Sequence, residues 1–420
     1  MVKLKEKPFL TPNEKGITGA NDAVSIQKAI DAAAENGVNK VVIPRYNKRT
    51  DGTVWVVSKT LRIPANMMLV LDNCRLELAE GFAGPMFVNS HFDCEEGKLI
   101  AGEQINIRIV GKGEVVLAGK GRAIALHNVR NFTVEGIRSE GCIALMYASY
   151  GKVCNIDFAE AIRNGVVLRC GCHDVTVENI TGVVADNIVS VIAQADPGLE
   201  VAAHVMGLVK DVRNIIIKNI KATCCGSLVK LFNQDGLLLY NILIESVEDT
   251  SADYSENRPF SAVMIGDTEA KPNVRAANLG ETKTVTVRNV FTRGRYGVAI
   301  CGALTNTLLE SIHLHGDGEC AVATVGGQAA NLHDLLIKGV FCAERQDASE
   351  TVVSLAPCQG AHICLQDVFA DQTACVVKAA GDVSVAVDRV TVDVLRGALV
   401  EADENAKITV KNVKVKEDQK

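Results

Sequence analysis

A short phrase of alternating character recurs along the chain. It opens on Asn or another polar residue, runs through an alternating β-branched strand, and closes on Asn, Asp, Gly, Ser or Arg followed by Val or Ile. The phrase reads NFTVEGI to Ile137, DVTVENI to Ile180, NIIIKNI to Ile220, NILIESV to Val247 and VTVRNV to Val290. It continues as TLLESI to Ile312, DLLIKGV to Val340, HICLQDV to Val368, SVAVDRV to Val390 and KITVKNV to Val413. Strict alternation with β-branched residues predicts strands. From Ile180 onward the closing residues lie 40, 27, 43, 22, 28, 28, 22 and 23 positions apart, and a period in the twenties marks a solenoid. The 40 and the 43 fit one coil carrying an insertion or two shorter coils.

A second apolar run falls between phrases, as in GVVLRC (165–170), NIVSVIA (187–193), SLVKLF (227–232), AVMIG (262–266) and GVAIC (297–301). Two or three strands per turn joined by loops predict an all-β fold, a parallel β-helix. The one strong helical pattern is ANDAVSIQKAIDAAAENG, with Ile26, Ala29, Ile30 and Ala33 at helical spacing. It predicts a helix over about 22–36, with Asn21 or Asp22 as N-cap and Gly37 at the C-terminal end. A terminal coil exposes sheet edges and ladder ends, so this helix is expected to cap the solenoid. The expected organisation is a single β-helix domain over 1–420. Within it lie an N-terminal cap over 1–45, coils over about 46–415, an insertion over 248–283 and a charged tail at 416–420.

Composition agrees with stacked coils: 48% apolar residues but only 4% aromatic ones, since ladders favour small and branched side chains. That apolar content excludes disorder. No apolar run reaches the roughly 18 residues of a membrane-spanning helix. No membrane partner and no secretory signal are therefore expected. A formal charge of −6 without a basic stripe argues against nucleic acid. The 14 cysteines include no C-x-x-C pair, which removes zinc-ribbon and thioredoxin-type readings. They read as small buried hydrophobes in a reducing compartment, the cytoplasm.

NDAVSIQKAIDAAAENG, KVVIPRYN and WVVSKTLRIPANMMLVLDNCRLELA, followed by INIRIVGKGEVVLAGKG (105–121), resemble the pectin-lyase-like superfamily, in particular its polygalacturonase and rhamnogalacturonase branch. The resemblance covers the N-terminal third directly and the remainder by cadence. It implies a single-stranded right-handed parallel β-helix acting on carbohydrate. The polygalacturonase motifs are degenerate here: Asn164 in IRNG replaces a carboxylate, and ADNI keeps Asp186 but has Asn187. Cys225-Gly226 stand where a Gly-His-Gly coil would lie, and VMIG (263–266) lacks the cations of an Arg-Ile-Lys motif. An inverting hydrolase needs two carboxyl groups roughly 6.5–9.5 Å apart, and one acid of three does not supply them. The resemblance therefore implies a polygalacturonase-like fold without the ordinary polygalacturonase mechanism.

If these strands face a substrate groove, alternation turns Val166 and Leu168 inward, and Val167 and Arg169 outward. Candidate catalytic acids are Asp186 with Asp196, Asp235 or Asp267 as partner. Candidate saccharide ligands are Arg169, Lys230, Asn164, Asn187, Gln194, Asn233, Gln234 and His204, with Ser190 facing out beside them. Lys230, between Val229 and Leu231, suits binding of a carboxylate or base chemistry. His204 and His173-Asp174 suit proton transfer. His313 and His315 share a strand face and His333 follows one repeat later, but no third ligand is evident, so neither metal nor cofactor is expected. The expected function is cleavage or rearrangement of glycosidic bonds in an oligosaccharide. A uronate lyase or epimerase and a non-catalytic saccharide-binding protein are the alternatives. The oligomeric state is open, a homotrimer included.

Overall fold

The computed structural model describes residues 7–92, 102–161, 163–194, 210–234, 236–252, 258–267, 276–326, 330–344 and 350–418. Among these are 28 strands and one α-helix. Two compact units account for them: the chain up to Ala185 together with Lys210, and residues 186–194 with 211–418.

In the second unit the closing residues of the phrase form one continuous parallel ladder. Ile220 pairs with Val247, Val247 with Val290, Val290 with Ile312, and Ile312 with Val340. The ladder continues through Val368 and Val390 to Val413. Because Val247 and Val290 are direct neighbours, the gap of 43 is one coil carrying extra chain. In the first unit Ile137, Ile156 and Ile180 are in register, so the strand ending VCNI at Ile156 is a further coil between the two phrases.

The polar residues bracketing each strand have a geometric reason. Asn131, Asp174, Asn214, Asn241, Asn306, Asp334 and His362, which open the strand, all adopt positive φ. So do Asn155, Asn179, Asn219, Asn289 and Asn412 before the closing apolar residue. A left-handed residue turns the chain at each corner, and Asn and Asp tolerate that region better than other side chains. Stacked corner amides then bond to one another. Asn131 Nδ2 donates to Asn106 Oδ1 at 2.6 Å, and Asn106 Nδ2 to Asn66 Oδ1 at 2.6 Å. Coils also pass at close quarters: a Cβ at Gly111 would lie 1.9 Å from the Gly136 carbonyl oxygen.

The helix spans Asp22–Glu35, with Asn21 as N-cap accepting from the Val24 amide at 2.9 Å. Gly37 follows the C-cap Asn36 with φ +69°. Ile26, Ala29, Ile30 and Ala33 are buried where the helix packs on strands Lys40–Pro44, Val54–Val57 and Leu61–Ile63. Asp22 is buried too; it accepts from Arg49 Nε at 2.7 Å and from the Val56 amide at 2.9 Å.

The stretch 248–283 contains a regular strand, Ser261–Gly266, in register with Ser227–Asn233 on one side and Tyr296–Cys301 on the other. The additional chain therefore lies on either side of that strand. At the C-terminus the last strand runs Lys407–Asp418, so regular structure enters the region expected as a tail.

Candidate functional site

In the first unit, strands Arg122–His127, Cys142–Met146 and Val166–Arg169 are consecutive rungs. Their register aligns Ala125, Ala144 and Val167 in one row and His127, Met146 and Arg169 in the next. Small side chains in the first row leave room above the sheet. A cavity of about 380 Å³ lies there, lined by Arg122, His127, Ala144, Arg163, Asn164 and Arg169 among others. Three guanidinium groups thus border one cavity, and no Asp or Glu does so among the described lining residues. Val167, expected to face outward, does line it, yet is 6% exposed because its neighbours cover it.

His127 is held by the fold from several sides. Its amide donates to Asn89 Oδ1 at 2.8 Å, and its carbonyl accepts from Asn89 Nδ2 at 2.9 Å. Gln104 Oε1 in turn accepts from Asn89 Nδ2 at 2.9 Å. The Phe92 ring lies 4.2 Å from the imidazole, centroid to centroid. Burial, with Arg122 and Arg169 adding to it, pushes the His127 pKa down to about 3. The imidazole is therefore neutral, and its Nδ1 has no hydrogen-bond partner among the described residues. A buried polar atom without a partner is costly and calls for an explanation.

Other sequence candidates lie in the second unit. Lys230 Nζ sits 3.2 Å from Asp267 Oδ2, both side chains being about one-fifth exposed or less, and 5.6 Å from the Phe232 ring centroid. Nearby Cys301 is raised to about 12, chiefly by burial and further by Asp267. Asp186 is exposed; its Oδ1 accepts from Asn187 Nδ2 at 2.7 Å. Asn187 is buried and its Oδ1 accepts from the Ser227 amide at 2.9 Å. Asn187 thus serves a backbone group at a turn.

Ser190 is buried rather than outward-exposed, level with Lys230 on the next strand. Gln194 and Gln234 are buried as well. Buried Asn233 donates to the Leu237 carbonyl at 2.9 Å. Asp196, His204 and Asp235 lie outside the described residues.

The structure brings Arg169 and Asn164 to one cavity. Arg122, His127 and Arg163 join them there, and these three were missed in the sequence. RAIALH reads as a buried strand, and the only signal was a polar residue at its end beyond two alternate alanines. The remaining histidines divide differently. His313 is stacked between Phe291 and Phe341, at 4.3 and 4.4 Å, as one rung of a ring ladder that ends on Phe369. His173 Nδ1 meets Asp174 Oδ2 at 2.7 Å. His333 pairs with Asp334, as does His362.

No protein-family model matches the chain, and none of the curated proteins matches it either. Solved structures do. The Streptococcus pneumoniae surface protein and adhesin PfbA is 13% identical with a TM-score of 0.54, covering 97% of each chain. The A-module of the Azotobacter vinelandii mannuronan C-5 epimerase AlgE4 is 14% identical with a TM-score of 0.52, over 96% of this chain and 99% of that one. A tailspike double mutant of the E. coli bacteriophage HK620, solved with a pentasaccharide, is 13% identical with a TM-score of 0.53, over 98% and 78%. Identities this low carry the fold, a right-handed parallel β-helix. They do not carry the polygalacturonase branch that the sequence resembles.

Proposed function

We propose that this right-handed parallel β-helix binds an acidic oligosaccharide in the arginine-lined cavity of its first unit. There it acts on the carbon beside the sugar carboxylate, as a uronate lyase or epimerase does. The observation that carries this reading is the composition of the cavity: three arginines, one neutral histidine, and no carboxylate among its described lining residues. Guanidinium groups bind carboxylates through paired, charge-assisted hydrogen bonds. Neutralising a uronate carboxylate also makes the neighbouring C5 proton easier to remove. His127, held in its proton-accepting form, is the group proposed to receive that proton. Burial is the larger cause of the depressed His127 pKa and would persist; the ligand carboxylate would offset only the further part due to Arg122 and Arg169.

Cleavage by a pair of acids finds less support. Asp267 is engaged by Lys230 and Asp186 by Asn187. The likeness to an epimerase module and to a tailspike solved with a saccharide is compatible with a carbohydrate ligand.

The test is a panel of neutral and uronic oligosaccharides, with unsaturated uronate, new reducing ends, and deuterium uptake at C5 in heavy water followed in parallel. Unsaturated product or deuterium uptake is expected with uronic substrates only. It should be lost in Arg169→Gln and His127→Gln and kept in Asp186→Asn. New reducing ends without unsaturation, abolished in Asp186→Asn, would overturn the reading in favour of hydrolysis.

A further inference from the structure

The corner that opens each strand is mostly an Asn, but on two successive coils of the second unit the ladder changes chemistry. Asn306 is followed by Asp334 and then His362, all at positive φ. The strand pairing sets His333 opposite Ala361 and Leu335 opposite Ile363, so Asp334 and His362 are adjacent rungs and His333 flanks them. His333 Nδ1 lies 2.8 Å from Asp334 Oδ2, and His362 Nδ1 lies 2.9 Å from Asp334 Oδ1. The two imidazole rings meet edge to face, with centroids 4.9 Å apart. One ligand atom from each of the three residues falls within 4.8 Å of the others.

We propose that His333, Asp334 and His362 form a binding site for a divalent late-transition-metal ion of the zinc class, bridging two consecutive coils. Donor type supports that class: two imidazole nitrogens and one carboxylate suit zinc, nickel or copper, whereas calcium and magnesium call for oxygen ligands. Donors at roughly 2.0–2.1 Å from a tetrahedral ion sit about 3.3 Å from one another. The donors lie within 4.8 Å of one another, and binding an ion would draw them closer. Three protein ligands leave a further position for water. The residues are half-exposed or exposed, so ligation carries little desolvation cost and the ion has direct entry from solvent.

The fixed corner explains why the residues converge. A left-handed residue on each coil projects from the same edge one strand spacing, about 4.8 Å, after the last. Ligands on adjacent coils therefore need no flexible loop to meet. A bound ion would tie strand Ala330–Ala343 to strand Cys358–Ala379 by bonds that the sheet itself lacks.

The experiment uses the untagged full chain, fully reduced, titrated calorimetrically with nickel chloride, and with zinc chloride in a second series. One ion per chain is expected, with a rise in melting temperature on binding. His362→Ala and Asp334→Asn should each weaken binding about tenfold or more, while His315→Ala leaves it unchanged. Circular dichroism melts of the metal-free variants check their folding, which replacements at exposed positions should leave intact. Absence of saturable binding in the wild-type chain would overturn the proposal. So would an affinity that His362→Ala and Asp334→Asn both leave unaltered, since the metal would then sit elsewhere, for example on cysteines.

Discussion

The charge state of His127 is set by its depth in the first unit and by two neighbours. Its pKa in the folded chain is pushed down to about 3, first by burial and then by Arg122 and Arg169, whereas an unfolded histidine titrates near about 6.5. The unfolded chain therefore binds the extra proton first as pH falls. Stability tied to His127 is complete above about pH 6.5 and is lost toward pH 3, by up to about 1.4 kcal/mol per pH unit. Urea midpoints at several pH values, compared between wild type and His127→Gln, should show a steeper acid loss in the wild type. Parallel curves would refute the assignment. Of the cavity residues, Arg169 was legible because a long cation closing an apolar strand stands out from its surroundings. His127 was not, since one imidazole at the end of RAIALH resembles any strand terminus until register aligns it with Met146 and Arg169.

The corner is the element that converts repeated sequence into repeated shape. A non-glycine residue at positive φ costs roughly 1–2 kcal/mol, and Asn lowers that cost while bonding to the corner of the next coil. Asn106 accepts from Asn131 and donates to Asn66. Asn106→Ala should therefore destabilise the chain by about 1–2 kcal/mol, read from urea unfolding. Asn106→Gly should cost less, because it keeps the backbone conformation and loses only the amide bonds. Equal losses in the two variants would assign the whole effect to hydrogen bonding. This element was visible in the sequence as the bracketing Asn and Asp residues, although their left-handed backbone was not. The helix was legible almost to the residue, since its caps and apolar stripe are local features.

Across the whole molecule, cohesion comes from apolar ladders and strand pairing, with no covalent staple among the described residues. Cys74, Cys172, Cys224 and Cys358 are buried as free thiols, and burial raises the pKa of each. Thiols of that kind react poorly, because the thiolate is the reactive form. Adding a reductant should leave the melting temperature unchanged within error. A clear drop would show a disulfide that contributes to stability.

The sequence by itself determined the β-helix, its coil rhythm, the N-terminal helix and the absence of an ordinary polygalacturonase motif set. Each of these follows from which residue types recur at which spacing, and that is local information. Tertiary structure alone decided which side chains share a site, because in a solenoid such neighbours are a full coil apart in sequence. Register, set by where each corner and insertion falls, joins Arg169 to His127 and His333 to His362. It also brings Asn187 Oδ1 to the Ser227 amide of the next coil. A shift of one residue in any strand would turn those side chains to the opposite face.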